Sequence, residues 1–302
     1  MLLSMEEALD RILVKMNPLG SELVHISETE GRVVSESLIA GISLPPWDNS
    51  AMDGYAVKAS DLTSASAEAP AVLKCLGESP AGSVSDSVIV PGTCLRVFTG
   101  SPMPQGADAV VMQEDTRTLG ESDEQVLVLD SVRPFESVRF KGEDVKEGDA
   151  LVSPGTRVSG SQVSLAMATG LQRCSVHCRP RVGILATGSE LCEPGQPLTP
   201  GRIYESNRIL LKSLVQRAGC EPVVYPIVED SLEATCQALS KAVEECDAIV
   251  TSGGDSVGDY DIIKPAFESL GGEIDFWRIR IKPGKPLVCG EIKSVPVFGL
   301  PG

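Results

Sequence analysis

Histidine is nearly missing from this 302-residue chain, which has 2, and basic side chains are outnumbered, with 26 Lys and Arg against 42 Asp and Glu for a formal net charge of −16. A surface so negative repels nucleic-acid phosphates and anionic lipid, so neither is expected as a partner. An anionic ligand would need a local basic island. Long apolar runs are missing as well: no stretch approaches the roughly 20 residues of a membrane span. The opening "MLLSMEEALDRILVKM" is amphipathic and charged throughout, unlike a basic stretch leading into an apolar core. The expected compartment is the cytoplasm. The scarcity of histidine also bears on "CSVHC", with Cys174, His177 and Cys178. A tetrahedral zinc site needs further ligands, so a strand with alternating faces is the preferred reading. Nine cysteines, an odd number spread through apolar or neutral settings, suit a reducing environment.

The length and the 42% hydrophobic content imply more than one compact unit. Ser4 with Glu7 forms a capping-box pattern, and Met5, Ala8, Ile12 and Met16 recur at helical spacing. From about residue 28 to 139 the pattern turns to short β-prone runs broken by Pro and Gly, such as "AVLKCLG", "CLRVFTG", "DAVVMQED" and "QVLVLDSV". In "SGSQVSLAMATG" the serines offer helix caps and Gly170 a left-handed end. The expected organisation is a helical domain I of residues 1–27 and 140–179, interrupted by a β-rich, barrel-like domain II of residues 28–139.

After Pro180 strands and helices alternate. "RVGILAT" precedes a helix capped by Ser206 with Leu210, Leu214 and Ala218 along one face; "PVVYPIV" precedes a helix with Asp230 and Glu233 as capping box; "DAIVTSG", "EIDFWRIRI", "PLVCG" and "PVFGL" are the later strands. Near-continuous apolar strands between helices predict a doubly wound α/β domain with a mostly parallel sheet over residues 180–302. Ligands in such sheets sit at the carboxyl ends of the strands, which puts "ATGSE" and "TSGGDSVGDYD" on one rim.

These stretches offer chemistry. Gly253, Gly254 and Ser256 follow a strand and precede a helix, where bare amides can face an anion. Asp255, Asp259 and Asp261 would repel that anion unless a hard cation such as Mg²⁺ lay between. A basic island appears in "RIRIKPGKP", where strand alternation would put Arg278, Arg280 and Lys282 on one face and the Pro283-Gly284 turn would present Lys285. "LPPWDNSAMDGYAV" concentrates Asp48, Asn49, Ser50 and Asp53, and "VRFKGED" carries Arg139, Lys141, Glu143 and Asp144. Tight turns and solvated charge runs remain alternatives for each stretch alone; together they suggest a composite site between domains.

In order and spacing, "PPWDNSAMDGYAV", "RVFTGSPMPQGADAVVMQED", "RFKGEDV", "GILATGSEL", "GRIYESNRILL", "TSGGDSVGDYD" and "IRIKPGKPLVCG" ending in "GLPG" resemble the molybdopterin molybdenumtransferases, the MoeA and gephyrin E-domain family, over essentially the whole chain. The resemblance implies a homodimer, with the third domain of MogA/MoeA-like type. It also implies insertion of molybdate into adenylylated molybdopterin with Mg²⁺-dependent release of AMP, and the molybdopterin adenylyltransferase as a further partner. By motif, Asp53 takes the catalytic position. Thr99, Arg139, Glu190, Gly253, Gly254, Ser256, Arg278, Lys282 and Lys285 fall at substrate-binding positions, and Asp144, Asp230 and Asp261 at metal positions. The implied site lies between the third domain of one subunit and the second of the other. Two departures stand out. Asp255 replaces a small apolar residue in the anion loop, and a C-terminal β domain that follows "GLPG" in the family, its domain IV, is not part of this sequence. They favour, as the alternative, a molybdopterin-binding or scaffold paralogue impaired in catalysis; an adenylyltransferase is a third reading that leaves the β-rich part unexplained.

Overall fold

A computed structural model describes residues 2–80, 82–119, 124–253, 262–281 and 286–301. The chain divides into two compact units, one of residues Met1–Leu23, Gly31–Val33 and Ser175–Gly302, the other of Val24–Glu30 and Val34–Cys174. The first helix, α1 (Met5–Lys15), belongs to the former and α2 (Gly160–Ala168) to the latter.

The β-rich unit is built on a six-stranded sheet of β1 (Gly54–Val57), β2 (Ala71–Ser79), β3 (Thr93–Val97), β4 (Ala109–Met112), β5 (Thr116–Leu119) and β6 (Gln125–Val128), in the order β4-β1-β3-β2-β6-β5. Pairing is antiparallel except between β2 and β3. The strands that the Val- and Leu-rich runs predict are all present. Alternation divides the apolar side chains between two cores: Tyr55, Val57, Leu73, Cys94, Val111 and Val126 pack on one face, and Ala56, Ile89, Leu95, Val97 and Val110 on the other. Gly54 is required by packing, because a Cβ there would lie 2.0 Å from the Val111 carbonyl oxygen. Two short antiparallel pairs lie outside the sheet, Leu38–Ile39 with Ala150–Val152 and Asn49–Ser50 with Val138–Arg139. Ser159 and Gln162 close the capping box of α2, and Gly170 lies beyond its end at φ +85°.

The α/β unit holds α3 (Asn207–Arg217), α4 (Leu232–Glu245), α5 (Ile263–Ser269) and the strands β7 (Arg181–Ala186), β8 (Glu221–Val224), β9 (Ala248–Ser252), β10 (Glu273–Arg278), β11 (Pro286–Ile292) and β12 (Val295–Leu300). Their order is β8-β7-β9-β12-β11-β10; the first four are mutually parallel, and β11 pairs antiparallel with both β12 and β10. Leu239, Val243, Ile263 and Phe267 of α4 and α5 pack with Leu185, Ile249, Val288 and Val297. On the opposite face Ala8 of α1 packs with Phe276, Ile279 and Cys289, since neighbours along a strand point opposite ways. Of the predicted α1 stripe, Ala8 and Ile12 meet this core, whereas Met5 is 56% exposed.

Four local expectations are corrected. The N-cap of α4 is Ser231, whose hydroxyl accepts from Ala234 N at 3.1 Å, so Asp230 is not part of a capping box. Ser206 stands at the N-cap of α3 but makes no capping bond; the Glu205 carboxylate accepts from Arg208 N instead. In α3, Leu210 and Leu214 are exposed rather than packed. The strand expected to run through "RIRIK" ends at Arg278, after which Ile279 bridges Leu3 and Arg280 N donates to Leu3 O at 2.7 Å. Arg280 is thereby tied to the N-terminal segment, its side chain donating to the Leu2 carbonyl at 3.5 Å. "CSVHC" is a strand with Cys174 and Val176 buried in alternation.

Candidate functional site

In the β-rich unit Asp53 ends the turn into β1. Its Oδ1 accepts two hydrogen bonds from Thr99, one from the backbone N at 2.8 Å and one from the hydroxyl at 2.9 Å. The backbone bond, then the hydroxyl, then the Arg96 charge hold its carboxyl below the usual aspartate range. An exposed carboxylate in that state is ionised at neutral pH and accepts protons or hydrogen bonds rather than donating them.

The backbone around Asp53 is laced to neighbouring loops. Ser50 N donates to Ser101 O at 3.0 Å, Gly100 N to Ser50 O at 2.8 Å and Met103 N to Asp48 O at 2.9 Å. The Asp48 carboxylate accepts from Lys141 N at 2.7 Å, and Asn49 and Ser50 pair with Arg139 and Val138. The "DNSAMD", "TGS" and "RFKGED" stretches, separate in sequence, therefore meet. Arg139 donates to Asp144 Oδ2 at 2.5 Å, with Glu143 at 3.9 Å from its Nε. Hydrogen bonding to Asp144, and then its charge, raise the Arg139 pKa. Asp144, one of the expected metal positions, carries this ion pair with Arg139.

In the α/β unit the rim at the carboxyl ends of β7 and β9 is built from backbone crossings. Thr187 N donates to Ser252 O at 3.1 Å, and Ser189 N to the Asp230 carboxylate at 2.8 Å. Asp230, released from the helix cap, holds the "TGSE" turn. Gly253 sits at φ +90°, with the Thr187 carbonyl 2.3 Å from where a Cβ would stand, so only glycine fits. Beside it is a pocket of about 230 Å³ lined by Thr187, Glu190, Asn207, Ser252 and Gly253. Asp230 and Ser189 line a second, of about 490 Å³. Gly254, Ser256 and Asp261, with Lys282 and Lys285, lie outside the described residues; Arg278 closes β10.

Several supporting groups carried no role in the sequence. Asn207 Nδ2 donates to Ser252 Oγ at 2.8 Å across the pocket floor. Buried Arg208 binds Glu205 Oε2 at 2.7 Å, both Glu193 oxygens at 2.8 Å and the Tyr225 carbonyl at 2.8 Å. Burial pulls its pKa down, but Glu193 and Glu205 more than offset this and raise it. The signal was the acid three residues before the arginine in "YESNR". Thr187 Oγ1 and Thr251 Oγ1 are buried without a hydrogen-bond partner among the described residues. Among the described residues no three His, Cys, Asp or Glu side chains gather as a metal site, and no helix is long and apolar enough to cross a membrane.

Residues 3–170 match the family model for the MoeA N-terminal region, domains I and II. The chain belongs to the molybdopterin molybdenumtransferase family. Residues 183–302 match the model of a probable molybdopterin binding domain. Among curated relatives, a molybdopterin molybdenumtransferase of Nostoc sp. is 38% identical over 285 residues, covering 93% of this chain and 65% of that protein. That of Haemophilus influenzae is 35% identical over 302 residues, covering 100% and 73%. The crystal structure of the molybdopterin biosynthesis MoeA protein from Pyrococcus horikoshii superposes with a TM-score of 0.85 at 33% identity, covering 100% of this chain and 74% of that one. The chain thus spans a little under two thirds of the Nostoc transferase and about three quarters of the other two. The MoeA fold, an α/β unit with a β-rich partner, is the one described above.

Proposed function

We propose that this protein works in molybdenum cofactor biosynthesis as a molybdopterin molybdenumtransferase, placing molybdate on adenylylated molybdopterin with release of AMP. The observation that carries the reading is Asp53, held ionised at the entrance of β1 by both donors of Thr99. In the balanced reaction one water cleaves the P–O–P linkage, AMP leaves, and the dithiol's two sulfurs bond molybdenum as one molybdate oxygen departs as water. Asp53 accepts a hydrogen bond from the attacking oxygen and so orients it. Thr99 positions Asp53. Arg139, Glu190, Gly253, Gly254, Ser256, Arg278, Lys282 and Lys285 hold substrate, the cations and bare amides taking its oxyanions.

Mg²⁺ belongs to this proposal, with Asp144, Asp230 and Asp261 as its carried-over ligands. The described acids alone do not make a divalent-cation cage, because Asp144 is bound to Arg139 and Asp230 to Ser189 N, so no step is routed through the ion. We further propose a cytoplasmic homodimer, served by the adenylyltransferase that makes its substrate; the absence of disulfides among its cysteines supports that compartment. The domain division 1–27 with 140–179, 28–139 and 180–302 is retained as part of the same reading.

The test is AMP release by the purified protein from adenylylated molybdopterin, with and without molybdate, beside Asp53→Ala. Molybdate-stimulated release that disappears in the variant is expected. Tight substrate binding without release would assign the chain to holding the cofactor precursor, and an unaffected variant would remove Asp53 from the reaction.

A further inference from the structure

Sheet register in the β-rich unit sorts side chains by face. Tyr55 stands opposite Arg96 across β1 and β3, and opposite Val111 across β1 and β4. Cross-strand partners share a face, so Tyr55 and Arg96 point to the same side; Phe98, just past β3, has its ring beside Arg96, and Asp53, just before β1, feels the Arg96 charge. Gln113 extends the ladder past β4, its N donating to Asp53 O at 3.0 Å. Deeper along this face lies the apolar core of Val57, Cys94 and Val111. Beside Tyr55 and Arg96 is a groove of about 1070 Å³, lined also by Gln113 and Arg117, with the carboxylates of Glu78, Glu114 and Glu124.

Arg96 is the unusual group in this groove. Its guanidinium carbon lies 5.0 Å from the Tyr55 ring centre and 5.3 Å from that of Phe98, and Nη2 donates to the neutral Gln113 Oε1. Arg32, Arg139 and Arg208 each bind a carboxylate; among the described residues Arg96 binds none within 4.0 Å, although Glu78 and Glu114 line the same groove. In a chain of net charge −16, a half-buried cation clamped by two rings, with no carboxylate within 4.0 Å among the described residues, is preorganised for an anion from outside. A guanidinium held in this way keeps further N–H donors in a planar fork that suits tetrahedral oxyanions.

We propose that the Arg96 groove is a subsite for a tetrahedral oxyanion of the substrate, a phosphoryl group or molybdate, seated by the guanidinium fork next to the strand that Asp53 precedes. The subsite rests on the transferase reading and specifies which part of the protein meets the anion beside Asp53. Gln113 and the two rings position Arg96.

Calorimetric titration of the full chain with AMP and with sodium molybdate as separate probes, without Mg²⁺, tests this in the parent protein and in Arg96→Ala, Arg96→Lys and Arg133→Ala. The expected result is that Arg96→Ala weakens one probe about tenfold or more and Arg96→Lys by about three- to tenfold, since charge stays but the fork is lost. Arg133→Ala changes affinity by less than about twofold, because an exposed charge that does not line the groove is screened. The probe that responds names the source of the oxyanion. Binding of neither probe, affinity indifferent to Arg96, or equal loss in Arg133→Ala overturns the subsite. If Arg96→Ala lowers the melting temperature enough to cloud its titration, Arg96→Lys decides. Molybdate-stimulated AMP release with Arg96-indifferent binding leaves the transferase standing without this subsite. Arg96-dependent binding without release in the parent protein does the reverse.

Discussion

Thr99 holds the Asp53 carboxyl below the usual aspartate range, because two donors on one carboxylate oxygen favour the ionised form more than slight desolvation disfavours it. The sign follows directly. A depressed carboxylate keeps its charge, and whatever that charge does, until pH falls through the lowered value. The acid limb of the pH–rate profile should therefore lie below the ordinary aspartate range. Thr99→Val removes the hydroxyl donor but keeps the backbone one, so the limb should move up and kcat fall about three- to tenfold. A limb that stays in place would show that Asp53 does not govern the profile. Gly253→Ala tests the rim at the same scale. With φ at +90° and the Thr187 carbonyl in the path of a Cβ, the variant should lose about 1–3 kcal/mol or more in urea unfolding, and an unchanged midpoint would contradict the described turn.

Among the elements, α4 shows how one residue of offset redirects function. The pair Asp230 and Glu233 reads as a capping box in sequence. Ser231, in extended conformation, caps the helix instead, and Asp230 reaches back to Ser189 N. Ser231→Ala should cost about 1 kcal/mol in equilibrium unfolding. Asp230→Asn should leave the helix intact while loosening the "TGSE" turn; equal destabilisation by both would return Asp230 to the cap. The start of α3 depends on burial more than on its N-cap residue. Arg208→Met strands a buried Glu205 carboxylate, with an expected loss of about 3–5 kcal/mol. Replacing Glu205 by Gln in the same background should recover part of it, and no recovery would mean that the lost packing, not the charge, is responsible.

For the whole molecule, the buried thiols report each unit separately. Burial pushes Cys289 up to about 11 and raises Cys94 further still, so neither supplies thiolate at neutral pH. Alkylation of the native protein should be confined to the partly exposed Cys75, Cys178, Cys220 and Cys236. Cys94 should become reactive only as the β-rich unit opens and Cys289 only as the α/β unit does, followed by mass spectrometry across a urea series. Rapid labelling of either in the native state would mean that its unit is looser than the packing indicates.

Much of this architecture was legible in the sequence because it rests on local patterns. The β-prone run "AVLKCLG", the near-continuous apolar run "RVGILAT", the capping serines before α2 and the ordered motifs of the family predict their strands, helix and fold class from neighbours in the chain. What the sequence could not express was pairing across distance. The chain order of β10 to β12 does not say that they turn the sheet antiparallel, nor that Arg280 would bind the N-terminal segment instead of joining a basic face. Residue types and motif order by themselves determined the family, the candidate acids and the glycine-lined rim. Only the tertiary structure decided that Thr99 lowers the Asp53 pKa, that Asp230 braces a turn and that Arg96 lies between two rings with no ion pair among the described residues. The physical reason is that charge state and hydrogen-bond partnership depend on groups tens of residues apart, brought within 3 Å by sheet register and not by sequence spacing.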